Sequence, residues 1–138
     1  MSKFEQLETT VSEGRFLVEA LEELGYKPVV DWNGLTLRGY GGAVWPEKAH
    51  IVIPRAQLNG SLADVGFVRN AAGAYQAVID DMDRDYHGLN AGWLSRVTQT
   101  YKEKQTMAVA RAKGYVFKGR EVIETPQGKK VQLRFAVR

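Results

Sequence analysis

Apolar residues along this chain fall into two stripes at helical spacing and a series of short strand-like runs. Phe16, Leu17, Ala20, Leu21 and Leu24 recur at helical intervals, while Glu19, Glu22 and Glu23 lie off that stripe. This pattern predicts an amphipathic helix ending near Leu24. Thr10 and Glu13 have capping-box spacing, Ser12 competes as N-cap, and Gly25 stands where a left-handed C-cap is needed. A longer stripe, Leu94, Val97, Tyr101, Ala108 and Ala112, predicts a second helix over about 91–113. Asn90 is its candidate N-cap, and Gly114 stops it.

The remaining apolar runs read as strands. Residues 2–11 form an edge strand. Residues 27–31 and 35–38 form two more, joined through Asn33-Gly34, a pair that tolerates the positive φ of a hairpin turn. Further strands are expected at 50–53, stopped by Pro54, at 64–69 with Val65, Phe67 and Val68 inward, and at 75–79. The last pair covers 115–124 and 129–137 around a Thr125-Pro126-Gln127-Gly128 turn. Val131, Leu133, Phe135 and Val137 alternate cleanly with Gln132 and Arg134, which predicts an inward-facing row. Gly39 to Gly42 reads as a tight turn, with a ligand loop as the alternative; no P-loop lysine follows it. The expected fold is α+β: a mostly antiparallel sheet with two helices packed on one face. It can be written as two strand-helix-strand-strand halves within a single domain spanning 1–138. The first half covers about 1–42, inserted hairpins 43–74, and the second half 75–138.

Composition adds limits. The chain has 138 residues, 44% hydrophobic and 25% charged, as in ordinary globular domains. It has no cysteine, which excludes disulfides, zinc–thiolate sites and iron–sulfur clusters. No apolar run reaches transmembrane length and the N-terminus lacks a signal-peptide core, so a cytoplasmic location and no membrane partner are expected.

Charge changes the picture more. Residues 1–69 carry 7 Lys/Arg and 9 Asp/Glu, a net of −2, whereas residues 94–138 carry 11 and 3, a net of +8. Such asymmetry marks either an anionic partner or a solvated face balanced by acidic neighbours. Lys118, Arg120, Lys129, Lys130, Arg134 and Arg138 fall on the final hairpin, and Lys118 and Arg120, two apart, could share a face. With Tyr40, Gly41 and Gly42, the first five of these cations are the candidate ligand-binding residues. Trp32, Trp45, Tyr40 and Tyr86 are candidates for stacking on bases.

Catalytic chemistry finds little support. His50 reads as structural. His87, near Asp83 and Asp85, is the better functional candidate, but it lacks a metal-ligand partner at short spacing. The aspartate-rich 80–88 stretch fails EF-hand spacing and reads as a solvated loop. No catalytic residue, metal or cofactor is assigned.

The order Ser2-x-Phe4, Leu24 to Tyr26, Leu37 to Gly42, Val65 to Phe67 and Val97 to Tyr101 resembles a conserved family of unknown function, a conserved plastid reading frame shared by cyanobacteria, algal plastid genomes, other bacteria and their viruses. The resemblance covers nearly the whole chain, but it implies no agreed activity and no catalytic residues. Two departures stand out: the 43–62 insertion is long, and 80–85 is unusually acidic. The functional expectation is a non-catalytic binding or assembly module with a basic C-terminal face, taking a protein partner or forming a homo-oligomer. The alternative is binding of a phosphate-bearing ligand, either a nucleotide or single-stranded nucleic acid.

Overall fold

The structure, a computed structural model, describes residues 2–137; Arg138, counted above among the hairpin cations, lies outside the described residues. The order of elements is β1 (Phe4–Glu8), α1 (Gly14–Glu23), β2 (Val29–Leu35), β3 (Ala49–Ile53), β4 (Val65–Arg69), β5 (Tyr75–Asp80), α2 (Asp81–Tyr86), α3 (Ala91–Ala112), β6 (Val116–Thr125) and β7 (Gly128–Ala136). The chain divides into two compact units, Met1–Tyr101 and Lys102–Arg138, and α3 contributes residues to both.

The first unit holds a five-stranded sheet in the order β1-β5-β4-β3-β2, with every pairing antiparallel. It confirms the α+β expectation and the edge position of β1. Val65, Gly66, Phe67 and Val68 of β4 are all buried, so the middle of the sheet is covered on both faces. Leu37, with Trp45 and Phe4 packed around it, joins Val52, Val68 and Val78 in a core on one face. On the other face Ile51, Phe67 and Ala77 stand in register. Leu17 and Leu21 of α1 and Trp93 and Val97 of α3 are also buried.

Two helix ends behave as the sequence predicts. Gly25 and Gly114 have φ of 97° and 75°. The amides of Tyr26 and Tyr115 reach back to the carbonyls of Leu21 and Ala110, the six-to-one bond that closes a helix at a left-handed residue. Asn90 caps α3 through the Trp93 amide at 3.1 Å. The predicted caps of α1 are not used. The Thr9 hydroxyl bonds the Tyr75 carbonyl at 2.5 Å, and the Tyr101 hydroxyl accepts the Ser12 and Glu13 amides at 3.2 and 3.1 Å. A residue 88 positions away thus fixes the entry to α1.

Three expectations are corrected. Asn33-Gly34 does not turn a hairpin: β2 runs through it, and the register with β3 shifts between Val30 and Leu35. Gly34 does use a positive φ, 107°, but inside a bulge, which asks for the same glycine as a turn. The aspartate-rich stretch is a helix rather than a solvated loop. The Asp80 carboxylate caps α2 by accepting the Met82 and Asp83 amides, and Asp83 is fully buried.

The third correction concerns the final hairpin. β6 and β7 form a separate two-stranded sheet instead of extending the main one. Val131, Leu133 and Phe135 are only half-buried, and Val137 is exposed. A two-stranded ribbon has no second layer of its own to bury such a row. No helix among the described residues is long and apolar enough to cross a membrane.

Candidate functional site

The residues singled out from the sequence do not assemble into one site. Tyr40, Gly41 and Gly42 form a tight turn in the first unit, closed by an Arg38–Val44 bridge and a Gly39-to-Ala43 bond of 2.8 Å. Lys118, Arg120, Lys129, Lys130 and Arg134 belong to the second unit. There the hairpin separates them. Residues opposite one another in an antiparallel pair share a face, and neighbours along a strand alternate. Lys130 and Arg134 therefore share one face, while Lys129 lies with Val131 and Leu133 on the other. Lys118 is the extra residue of a bulge between Phe117 and Gly119, so it and Arg120 do not follow simple alternation. Arg120 is already paired: its Nε lies 2.5 Å from Glu103 Oε1 on α3.

The acidic stretch is likewise committed to structure. Asp83 accepts the Leu62 and Ala63 amides at 2.8 and 3.1 Å, and Asp81 accepts the Lys3 amide at 2.9 Å. Burial pushes the Asp83 carboxyl up, against the pull of those two amides. The Lys3 amide is the main cause holding the Asp81 carboxyl down. Arg84 pairs with Asp85 and with Glu5. His87 is exposed, its Nε2 3.9 Å from an Asp83 oxygen.

A different constellation occupies the first unit. A cavity of about 440 Å³ is lined by Ser12, Gly14, Arg15, Trp32, His50, Arg69 and Tyr75. Its volume lies in the range of small-molecule sites, about 300–1,000 Å³. Among the described residues, no Asp or Glu lines it, while two arginines and a histidine do.

Each wall has a structural cause. Ser12, Gly14 and Arg15 bring the first turn of α1 to the cavity. The first amides of a helix have no partners within it, and the N-cap Glu13 makes no side-chain bond to them. The positive end of the helix dipole is thus uncapped at this wall. Gly14 is needed for space: a Cβ there would stand 2.7 Å from Tyr75 Oη and 2.7 Å from the Trp32 ring. Arg69, at the end of β4, donates Nε–H to the Gly73 carbonyl at 3.1 Å, which fixes the plane of its guanidinium. The Arg15 guanidinium lies 4.4 Å from the Phe16 ring centroid.

Trp32 and His50, on the adjacent strands β2 and β3, stack with centroids 6.4 Å apart and planes inclined by 29°. Trp32 is nevertheless 59% exposed. Tyr75 is only 3% exposed, yet it lines the cavity, and its hydroxyl has no hydrogen-bond partner among the described residues. Burial pushes that hydroxyl's pKa up, so it stays protonated and able to donate.

Of the stacking candidates, Trp32 belongs to this cavity. Tyr40 and Tyr86 are exposed elsewhere, and Trp45 is half-buried, edge-on to Phe4 at 6.0 Å. Sequence reasoning missed Ser12, Arg15, His50, Arg69 and Tyr75 as site residues. Arg15 and Arg69 sit in the segment with net negative charge, where averaging hides a local positive cluster.

Comparison with known proteins gives one positive result. A profile described as "Protein of unknown function (DUF1257)" matches residues 20–131. No curated protein and no solved structure is matched by the chain.

Proposed function

The chain belongs to the DUF1257 family of proteins of unknown function, and from the chemistry of its own side chains we propose that it is a binding module for a small phosphate-bearing ligand. The carrying observation is the acid-free cavity that gathers Arg15, Arg69 and the uncapped start of α1. Uncapped helix amides and arginine forks are the groups that hold phosphate oxygens best. The reading is of a binding site, because the features that carry it are groups that hold anions.

The test is thermal unfolding in phosphate and pyrophosphate at matched ionic strength. A ligand specific for the folded state stabilises it by about 2.7 kcal/mol at a hundred times its Kd. The R15Q/R69Q variant should lose that shift, since each charge-assisted hydrogen bond contributes about 1.5–3 kcal/mol. Its stability without ligand should stay within about 0.5 kcal/mol of wild type, because both side chains are exposed. An equal shift in variant and wild type would remove the reading.

A second reading rests on the hairpin. Phe117 and Val122, 41% and 48% exposed, share a face with the half-buried Val131, Leu133 and Phe135. Apolar surface of this kind, interrupted by Arg120 opposite Leu133 and ending at the Glu124–Lys129 pair, suits a protein contact. It supports assembly through the second unit, with a second copy or an acidic protein. Light scattering on wild type and V122K checks it: a mass above one chain that drops to one chain in the variant is expected for self-assembly. A monomer at every concentration, with no protein retained from native lysate, counts against this reading.

A further inference from the structure

The phosphate-binding reading leaves most of the cavity unfilled. The cavity of about 440 Å³ lies in the range of sites for whole small molecules, about 300–1,000 Å³. A bare phosphate ion would meet Arg15, Arg69 and the helix start and touch little else. Two further features need a different kind of ligand atom.

The first is the Trp32–His50 stack. An indole more than half exposed normally loses little by turning freely in water. Here its plane is inclined by 29° to the His50 ring on the neighbouring strand, with the ring centroids 6.4 Å apart. Its six-membered ring also approaches the space above Gly14, where a Cβ would come within 2.7 Å. The outer face is therefore a pre-ordered aromatic surface on the same cavity as the two arginines, and flat rings stack on such faces. The second feature is Tyr75. It is nine-tenths buried and more, its ring is packed, and its hydroxyl is left without a protein partner while facing the cavity. The hydroxyl opens onto the cavity from an otherwise buried ring, and a ligand acceptor there would receive its hydrogen bond.

The geometry points to a free mononucleotide as the occupant: a phosphate at Arg15, Arg69 and the first turn of α1, a base stacked on Trp32, and the Tyr75 hydroxyl donating to an oxygen of the ligand. This assignment rests on the phosphate-binding reading and narrows it to esters carrying a flat ring. The shared chemistry, a phosphate beside a base, also occurs at the end of a nucleic-acid strand. A free nucleotide is preferred because the cavity's walls come from five separate segments and its volume is that of a small-molecule site.

Calorimetric titration of the full chain with inorganic phosphate, ribose 5-phosphate, AMP and a 5′-phosphorylated oligonucleotide tests this. AMP should bind about 5- to 150-fold more tightly than ribose 5-phosphate, the equivalent of ~1–3 kcal/mol for one stacked base. W32A should remove that advantage and leave ribose 5-phosphate binding unchanged. Y75F should weaken both sugar phosphates several-fold while melting at the wild-type temperature. Equal affinity for AMP and ribose 5-phosphate would overturn the mononucleotide assignment and leave phosphate binding intact; no binding of any probe would overturn both. An AMP preference that survives W32A would overturn the role of the indole. Much tighter binding of the oligonucleotide than of AMP would overturn the free nucleotide in favour of a strand end.

Discussion

Replacing Asp83 by Ala should destabilise the protein by roughly 2–5 kcal/mol, one of the largest losses expected from a single polar substitution in this chain. The Asp83 side chain is fully buried and receives the amides of Leu62 and Ala63, in the segment between β3 and β4. Truncation leaves both donors without a partner, and each buried unsatisfied donor costs about 1–3 kcal/mol. Asp83→Asn should cost less, because the amide oxygen still accepts one N–H while the amide nitrogen faces the other.

The pH dependence carries a definite sign. Burial raises the folded carboxyl above its ordinary value, so the folded protein holds this proton more tightly than the unfolded chain does. The contribution of this group is fully favourable below the ordinary value, about 3.9, and is lost as pH rises through the raised folded value. Urea melts across that window should show this favourable contribution on acidification in wild type and lack it in D83N. A D83A midpoint equal to wild type at neutral pH would show that the two amides find other acceptors, and the structural role given to Asp83 would be wrong.

The second large effect should come from Gly66 and Leu37 together. Gly66 lies in the central strand β4, and a Cβ there would stand 2.5 Å from both terminal carbons of Leu37. Leu37 is itself fully buried, within a cluster that includes Val52, Val68 and Val78, so it has nowhere to move. Gly66→Ala should therefore cost about 1–3 kcal/mol through overpacking. Leu37→Ala should cost about 2–5 kcal/mol through the space it leaves. In the double variant the new methyl occupies part of that space, so the loss should be smaller than the sum by about 1 kcal/mol or more. Additive losses in a double-mutant cycle would mean that the two side chains do not meet.

Both predictions concern residues whose importance is invisible in the sequence. Asp83 stands among four aspartates that read as a solvated loop, because polarity alone cannot distinguish a carboxylate that meets water from one that receives amides 20 and 21 residues away. Gly66 reads as one apolar-strand residue among others, because the need for a missing side chain comes from Leu37, in the stretch that follows β2. The Asn33-Gly34 pair shows the same limit from another side. Its positive φ was legible, yet that torsion serves a turn or a bulge equally well, and the pairing of β2 with β3 decided which.

What the sequence determined by itself was the local order. Helical periodicity placed α1 and α3, the glycines after Leu24 and Lys113 ended them, Asn90 started the second, and alternation with turn residues located most strands. The α+β class and an antiparallel sheet followed from these, because each signal is carried by residues within a few positions of one another. Tertiary structure alone decided that the last hairpin stands as its own two-stranded sheet, since a row of alternating apolar residues looks the same whether or not a second layer exists to bury it. It also decided the site. Ser12, Arg15, Trp32, His50, Arg69 and Tyr75 come from the start of α1, from β2, β3 and β4, and from β5, and no spacing along the chain links them. They meet because antiparallel pairing sets β2, β3, β4 and β5 side by side, and because Gly14 leaves the gap that Trp32 and Tyr75 close around.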